Sequence, residues 1–148
     1  QFEPLDLKNL VQSIMPLFEN KSIIEFESRG TDFTILADKK MLGQVLNNLI
    51  NNALQATQET VNPVIQITIA SKEKLLSLAV KDNGVGISEA AKEKIFTPYF
   101  TTKSSGSGIG LNVVRQILEK HSGKIHFESE EGKGSCFFVE LPLFSEGS

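Results

Sequence analysis

Hydrophobic residues recur along this chain in two periods, one helical and one typical of strands. The first helical segment follows Asp6, a favourable N-cap residue. Its apolar positions are Leu7, Leu10, Val11, Ile14, Leu17 and Phe18. This spacing predicts one buried helix face, and we expect Pro16 to bend or end the helix because proline lacks an amide donor.

A longer helix is predicted at residues 39–58, with Asp38 as its N-cap. The residues expected to be buried along it are Leu42, Val45, Leu46, Leu49, Ala53 and Leu54. Residues 82–106 are rich in loop formers and contain one short helix near 89–95. A further helix follows and ends near Gly123.

Alternating apolar residues predict at least five strands, several of them joined as hairpins. The segments are residues 23–27, 33–37, 65–70, 75–81, 124–129 and 135–141. Strands and helices in this order predict an α+β fold. We expect a two-layer sandwich in which about three helices cover one face of a mixed sheet.

The size and charge of the chain narrow its class. Its 148 residues suit one domain, which we assign to residues 1–144, with 145–148 as a tail or an expression remnant. No apolar run approaches the roughly 18 residues that cross a bilayer, so no direct membrane contact is expected. The formal net charge of -3 disfavours a nucleic-acid surface, because phosphate backbones are held by clustered cations.

The chain starts at Gln1 rather than Met, which indicates a fragment or a processed chain. Its single Cys136 is interpreted as a small buried hydrophobe within a strand.

The long predicted helix carries an unusual stripe of carboxamides. Four asparagines fall within six residues, namely Asn47, Asn48, Asn51 and Asn52. Asn48 and Asn52 are four residues apart and so lie one above the other. Gln44 and Gln55 extend the stripe. A solvated face is one interpretation, but carboxamide oxygens are also acceptable ligands for Mg²⁺, which favours a cation or phosphate site.

A second polar motif, Asp82-Asn83-Gly84-Val85-Gly86-Ile87, directly follows a hydrophobic strand. Asp-Asn-Gly is also a common turn sequence. A carboxylate at a strand end can accept a hydrogen bond from an exocyclic amine, and the glycines let a flat ring approach the backbone. An adenine ring fits that description.

The third motif is a glycine turn that runs straight into a helix, with glycines at Gly106, Gly108 and Gly110. Such a turn is either a tight connection or a phosphate cradle, because the helix presents unpaired N–H groups to an anion. The aromatic residues within 96–100, which come before this turn, can anchor a mobile loop. Lys103 can reach a β- or γ-phosphate as a point charge.

Together these motifs resemble the four boxes of sensor histidine kinases. The matching segments are Asn48-Leu49-Ile50-Asn51-Asn52-Ala53 for the N box, Asp82-Asn83-Gly84-Val85-Gly86 for the G1 box, Phe96-Thr97-Pro98-Tyr99-Phe100 for the F box and Gly106-Ser107-Gly108-Ile109-Gly110-Leu111 for the G2 box. The resemblance covers essentially the whole chain. It implies the catalytic ATP-binding domain of the GHKL superfamily, with the Bergerat fold and an ATP lid.

The resemblance also implies residue roles. Asn52 would be the ligand of Mg²⁺, Asn48 would support the phosphate–metal site and Asp82 would bind the adenine amine. These two asparagines and Lys103 would form the catalytic set, with Lys103 touching the triphosphate. The full implied ATP contact set is Asn48, Asn52, Gln55, Asp82, Gly84, Gly86, Ile87, Thr101, Thr102, Lys103, Gly106, Ser107, Gly108, Ile109, Gly110, Leu111 and Ser135. Residues 101–110 would form the lid, which must close to position phosphate.

The position of Asn48 separates the possible types of relative. Gyrase-type and chaperone-type members of the superfamily place a glutamate there as general base for water. An amide cannot accept a proton usefully, so phosphoryl transfer is expected rather than fast hydrolysis. The implied partners are ATP, the helical dimerisation and phosphoacceptor domain of the same kinase, and a downstream response regulator. The resemblance also implies a cytoplasmic location for this domain.

The two histidines of the chain do not match the phosphoacceptor signature. Sensor kinases carry that histidine in a helical hairpin with a His-Glu or His-Asp pair, whereas this chain has His121-Ser122 and His126-Phe127. A structural role is therefore expected for His121. Two alternatives stay open: a serine kinase of the anti-sigma-factor type, and a non-catalytic ATP-sensing module.

Overall fold

A computed structural model describes residues 1–18, 23–97 and 110–145 of the chain. Its strands are β1 (Glu3–Asp6), β2 (Ile24–Arg29), β3 (Thr34–Ala37), β4 (Ile65–Lys72), β5 (Leu75–Asp82), β6 (Lys124–Glu130) and β7 (Gly134–Pro142). Its helices are α1 (Leu7–Ile14), α2 (Lys39–Ala56), α3 (Glu89–Lys92) and α4 (Leu111–Lys120), with a 3₁₀ turn at Met15–Leu17.

Five of these strands form a mixed sheet in the order β2-β4-β5-β7-β6. β2 runs parallel to β4, and the other neighbouring pairs are antiparallel. The strands β1 and β3 form a separate antiparallel pair. The predicted α+β class with a mixed sheet is confirmed.

The core lies between one face of the five-stranded sheet and the helices. Along β4, β5 and β7 every second side chain is buried, so each strand presents one face to the helices. The fully buried side chains include Ile65, Ile67 and Ile69 of β4 and Leu7, Leu42, Leu46, Leu49 and Leu118 of the helices. Each such aliphatic residue contributes about 1.5–3 kcal/mol relative to an exposed one.

Aspartates begin the two helices as expected. The Asp6 carboxylate accepts from the Asn9 N–H and the Asp38 carboxylate from the Met41 N–H, both at 3.0 Å. The first helix ends at Ile14, and Leu17 is 78% exposed, so its predicted place on the buried face is wrong. Pro16 explains the difference, since it cannot continue the helical hydrogen bonds and the 3₁₀ turn rotates the next side chains away from the core.

Smaller differences concern the ends of elements and partial burial. The helix α2 ends at Ala56 rather than at 58, and Leu54 is only half-buried. The short helix α3 covers four residues and stops before Ile95. Cys136 is half-buried rather than buried, and burial raises the pKa of its thiol to about 11, which keeps the thiol protonated at neutral pH.

The sequence pattern did not predict β1. It pairs with β3 from Glu3 opposite Ala37 to Asp6 opposite Thr34. At the other end of the chain, the Phe144 N–H donates to the Thr34 carbonyl at 2.8 Å. The backbone is thus tied into the fold as far as Phe144. None of the helices in the described ranges is both long enough and apolar enough to cross a membrane.

Candidate functional site

The carboxamide stripe of α2 contains a hydrogen-bonded asparagine pair. Asn52 Nδ2 donates to Asn48 Oδ1 at 3.2 Å, as their spacing of four residues predicts. Asn48 is buried and Asn52 is half-buried. Because Asn52 uses its amino group in this bond, its carboxamide oxygen is the atom left to face a ligand; among the described residues it accepts no hydrogen bond. Gln55 is half-buried one turn further along the same helix.

The Asp82 carboxylate is buried at the end of β5. Its Oδ1 accepts from the Gly84 N–H at 2.8 Å, and Asp82 pairs with Ser135 on the neighbouring strand β7. Burial raises the pKa of Asp82, opposed by hydrogen bonds from the Gly84 and Ser135 N–H groups. At only 6% exposure, this carboxylate presents little surface to bulk water and is suited to a polar partner held in a pocket.

The loop after Asp82 packs directly against the last turn of α2. The Val85 N–H donates to the Ala56 carbonyl at 3.0 Å, which lies one helical turn beyond Asn52. A side chain at Gly84 would collide with that same carbonyl. Close backbone approach thus requires a glycine here, and it brings the Asp82 loop next to the asparagine pair.

A second contact fixes the far side of this loop against the turn between β6 and β7. The Gly132 N–H donates to the Val85 carbonyl at 2.7 Å. Gly86 has a φ of +73°, and a side chain there would collide with the Glu130 carbonyl. The backbone needs both glycines for packing, independently of any ligand.

Ser129 of β6 links three parts of the site. Its Oγ accepts from the Ile87 N–H at 2.8 Å, donates to the Gly134 carbonyl at 3.0 Å and lies 2.8 Å from Ser135 Oγ. Sequence reasoning missed this residue. Its only local signal is a place in an alternating strand, and its partner Ile87 lies 42 residues away.

The glycine turn is described only at its end. Gly110 is the N-cap residue of α4, and among the described residues no side chain caps that helix. Its first N–H groups therefore lack a side-chain acceptor, and Leu111 is half-buried in the first turn. Seven predicted ligand contacts lie outside the described residues: Thr101, Thr102, Lys103, Gly106, Ser107, Gly108 and Ile109.

Aromatic packing anchors the chain where it enters this undescribed segment. The Phe96 ring lies 5.9 Å from the Phe127 ring, measured between centroids. The Arg115 guanidinium of α4 lies over the Phe96 ring, 5.2 Å from its centroid. The start of the loop is thus packed against both β6 and α4.

His121 joins the ends of two helices rather than offering a reactive nitrogen. Its Nε2 accepts from the Asp38 N–H at 3.1 Å, so the proton is on Nδ1, which lies 2.7 Å from the Ile117 carbonyl. The ring is buried and stacks on Phe2 with centroids 4.5 Å apart. Both nitrogens are engaged with backbone, in agreement with the structural role expected from the sequence.

Comparison with known proteins gives the same class as the fold and the site. Residues 37–145 match the family described as histidine kinase-, DNA gyrase B-, and HSP90-like ATPase. The chain is 38% identical over 146 residues to the sensor histidine kinase ZraS of Escherichia coli K12, a match that covers 95% of this chain and 31% of that protein. It is also 38% identical to the nucleotide-free catalytic domain of the histidine kinase ThkA, with a TM-score of 0.81 over 96% of this chain and 95% of that one. A structure of ThkA in complex with the response regulator protein TrrA matches at 35% identity and a TM-score of 0.78, over 99% of this chain and 43% of that one.

The family match and the likeness to solved catalytic domains place the chain in a class of ATPase domains. The chain belongs to the histidine kinase-, DNA gyrase B-, and HSP90-like ATPase family. Within the family it is of the histidine kinase type, since it is similar over nearly its whole length to the catalytic domain of the histidine kinase ThkA. The chain spans only 31% of the length of ZraS.

Proposed function

We propose that this domain binds Mg²⁺-ATP and transfers the γ-phosphoryl group to a histidine on a separate helical dimerisation and phosphoacceptor domain. The observation that carries the proposal is the buried Asp82 carboxylate, registered opposite Ser135 and held by the Gly84 N–H beside the asparagine-bearing helix. A buried acceptor of this kind fits the exocyclic amine of adenine. The raised pKa of Asp82 falls again when an amine donates to the charged form.

The residues of α2 fit the metal-bound end of the nucleotide. Among the described residues Asn52 Oδ1 accepts no hydrogen bond, and Mg²⁺ accepts such an oxygen as a ligand together with phosphate oxygens and water. When bound, the metal neutralises charge on the transferring phosphoryl group. Asn48 fixes the rotamer of Asn52. The chain places no carboxylate at Asn48, so a water is not activated for attack from this position.

The other end of the triphosphate is assigned to the start of α4. Among the described residues no side chain caps this helix, and its first N–H groups and its dipole favour an anion. We assign the remaining lid contacts to the segment 101–109, in which Lys103 supplies a cation next to the terminal phosphate. Closure of that segment would exclude water and favour transfer to a protein acceptor.

The proposed partners follow from the same relatives. ThkA assembles with a response regulator in its solved complex, and we assign a response regulator as the final phosphate acceptor for this kinase too. The phosphoacceptor histidine is supplied by the helical domain, since both nitrogens of His121 are engaged with backbone. Because we propose that the domain uses ATP, we assign it to the cytoplasm. We assign residues 1–144 as the folded unit that binds the nucleotide.

The test is a nucleotide titration by calorimetry of the wild-type chain with and without Mg²⁺. Asp82→Asn is expected to weaken ATP binding about 10- to 100-fold, because a hydrogen bond to a buried charge contributes about 1.5–3 kcal/mol. Asp32→Asn is the matched control, since Asp32 only accepts from Thr34 within an exposed turn. Absence of ATP binding by the wild type, or equal affinity in Asp82→Asn, would contradict the proposal.

A further inference from the structure

The second half of the loop at residues 83–87, from Val85 to Ile87, is held by three hydrogen bonds to different neighbours. Its first residue, Asn83, is held separately by its own side chain, which accepts from the Val64 N–H and donates to the Asn62 carbonyl. Val85 uses its N–H and carbonyl to bind the Ala56 carbonyl and the Gly132 N–H, so these two bonds are made by backbone alone. The third runs from the Ile87 N–H to Ser129 Oγ at 2.8 Å. Of the three, only the Ser129 bond can be removed by changing a side chain.

The Ser129 hydroxyl has its full set of hydrogen-bond partners. A hydroxyl has one proton and two lone pairs. The proton goes to the Gly134 carbonyl at 3.0 Å, and the Ile87 N–H takes one lone pair. Ser135 Oγ, 2.8 Å away, must then donate to the second lone pair. The direction of this last bond leaves the Ser135 oxygen as an acceptor toward whatever lies beside Asp82.

We propose that Ser129 is a positioning residue for recognition of the base, acting through Ile87 and Ser135 rather than by contact with the nucleotide. The inference rests on the proposed function, in which the Asp82 loop holds adenine. The Ser129 hydroxyl fixes both the position of the Ile87 backbone relative to β6 and the orientation of the Ser135 hydroxyl. Ser135 is opposite Asp82 in the register of β5 and β7, so the Ser129 hydroxyl orients the polar group next to the carboxylate that is proposed to bind the base.

Removing the hydroxyl has consequences that stay close to the base. The Ile87 N–H loses its acceptor, so residues 85–87 are then held by the two bonds of Val85, while the Asn83 side chain keeps its own two bonds. The Gly84 N–H keeps its bond to the Asp82 carboxylate, because the bonds of Asn83 and Val85 on either side of Gly84 do not involve Ser129, so the change is expected at Ile87 and at the Ser135 hydroxyl. The asparagine pair on α2 makes no contact with Ser129 in the described residues, so triphosphate and metal binding are not expected to change.

The experiment compares Ser129→Ala, Ser129→Thr and wild type in the full 148-residue chain. We measure affinities for Mg²⁺-ATP and Mg²⁺-GTP, the thermal midpoint, and the exchange rate of the Ile87 amide by NMR without nucleotide. Ser77→Ala is the matched control, because Ser77 also lies in the sheet and makes only a long bond of 3.5 Å to the Ala70 carbonyl.

In Ser129→Ala, loss of about one net hydrogen bond is expected to weaken ATP binding about five- to tenfold. GTP binding should change little, so the preference for ATP falls, and the Ile87 amide should exchange faster. Ser129→Thr keeps the hydroxyl and should restore both readouts, while Ser77→Ala should match wild type.

Three results overturn the positioning role. They are unchanged ATP affinity in Ser129→Ala, an equal loss for ATP and GTP, and a Ser129→Ala chain that no longer unfolds cooperatively, which would make the hydroxyl a support of the whole fold. Failure of the proposed function looks different: the wild type would not bind ATP, while the Ile87 amide would still exchange faster in Ser129→Ala.

Discussion

Burial makes the charged form of Asp82 unfavourable in the folded chain. Burial raises its pKa, and the N–H groups of Gly84 and Ser135 offset only part of that cost. Below the ordinary Asp pKa both the folded and the unfolded chain carry the proton, so there is no penalty. As the pH rises from the ordinary Asp pKa toward the raised pKa of the folded state, the unfolded chain has released its proton and the folded chain has not, so stability falls until the folded pKa is passed.

Asp82→Asn therefore removes a pH-dependent loss of stability. The free energy of unfolding, measured in urea from about pH 3 to pH 7, should fall for the wild type relative to the variant as the pH rises, and the difference should then level off. Asp38→Asn is the control of opposite sign, since the pKa of Asp38 is lowered by the N-terminal ammonium and the Met41 N–H. A difference between wild type and Asp82→Asn that does not vary with pH would contradict the assignment.

The sequence predicted site residues where the residue type itself carried the signal. Short carboxamides in a helix and a carboxylate before two glycines stand out from ordinary helix and turn composition. Ser129 carried no such signal, because a serine in an alternating strand is common and its three partners come from β7 and a distant loop. The sequence also did not predict that Gly84 is required for packing, because the collision of a side chain there with Ala56 depends on how α2 packs.

At the scale of elements, local periodicity predicted what local forces decide. The helices α1, α2 and α4 and both hairpins follow from spacing, caps and turn residues. The strand β1 was missed because Glu3-Pro4-Leu5-Asp6 has no alternation of its own and becomes a strand only by pairing with residues about thirty positions away. The exposure of Leu17 was missed because the pattern was extended past Pro16.

Two glycines near α2 should respond oppositely to the same substitution. Gly43 lies inside the helix, and a side chain there would meet no atom of the described residues within 4 Å apart from its own helix. Gly43→Ala should thus stabilise the chain by about 0.5–1 kcal/mol, because alanine loses less conformational entropy on folding. Gly84→Ala should cost about 1–3 kcal/mol, because its side chain would collide with the Ala56 carbonyl. Urea unfolding of both variants checks the pair, and destabilisation by Gly43→Ala would show that the glycine is needed by a contact beyond the described residues.

At the scale of the whole molecule, the folded unit begins well before the stretch that matches the family. Residues 37–145 carry the family match, yet Leu7 and Val11 of α1 are fully buried in the common core. The strand β2 forms one edge of the main sheet, parallel to β4. The elements α1 and β2, which lie before residue 37, therefore belong to the same folded body, which supports our proposal that residues 1–144 form a single unit.

The two histidines are placed so that this chain should not phosphorylate itself. His121 is buried, with both nitrogens engaged by backbone, and His126 stacks on Phe138 on the sheet face opposite α2, 4.8 Å between centroids. Incubation with γ-labelled ATP should leave the chain without acid-labile label, whereas addition of the helical phosphoacceptor domain of the same kinase should give label on that domain. Asn52→Ala in the same mixture should abolish the transfer and serves as the control for contaminating kinases. The prediction is contradicted if the isolated chain becomes labelled and the label disappears in His126→Gln. That result would place a phosphoacceptor histidine in this chain, and it would require the nucleotide to reach the opposite face of the sheet.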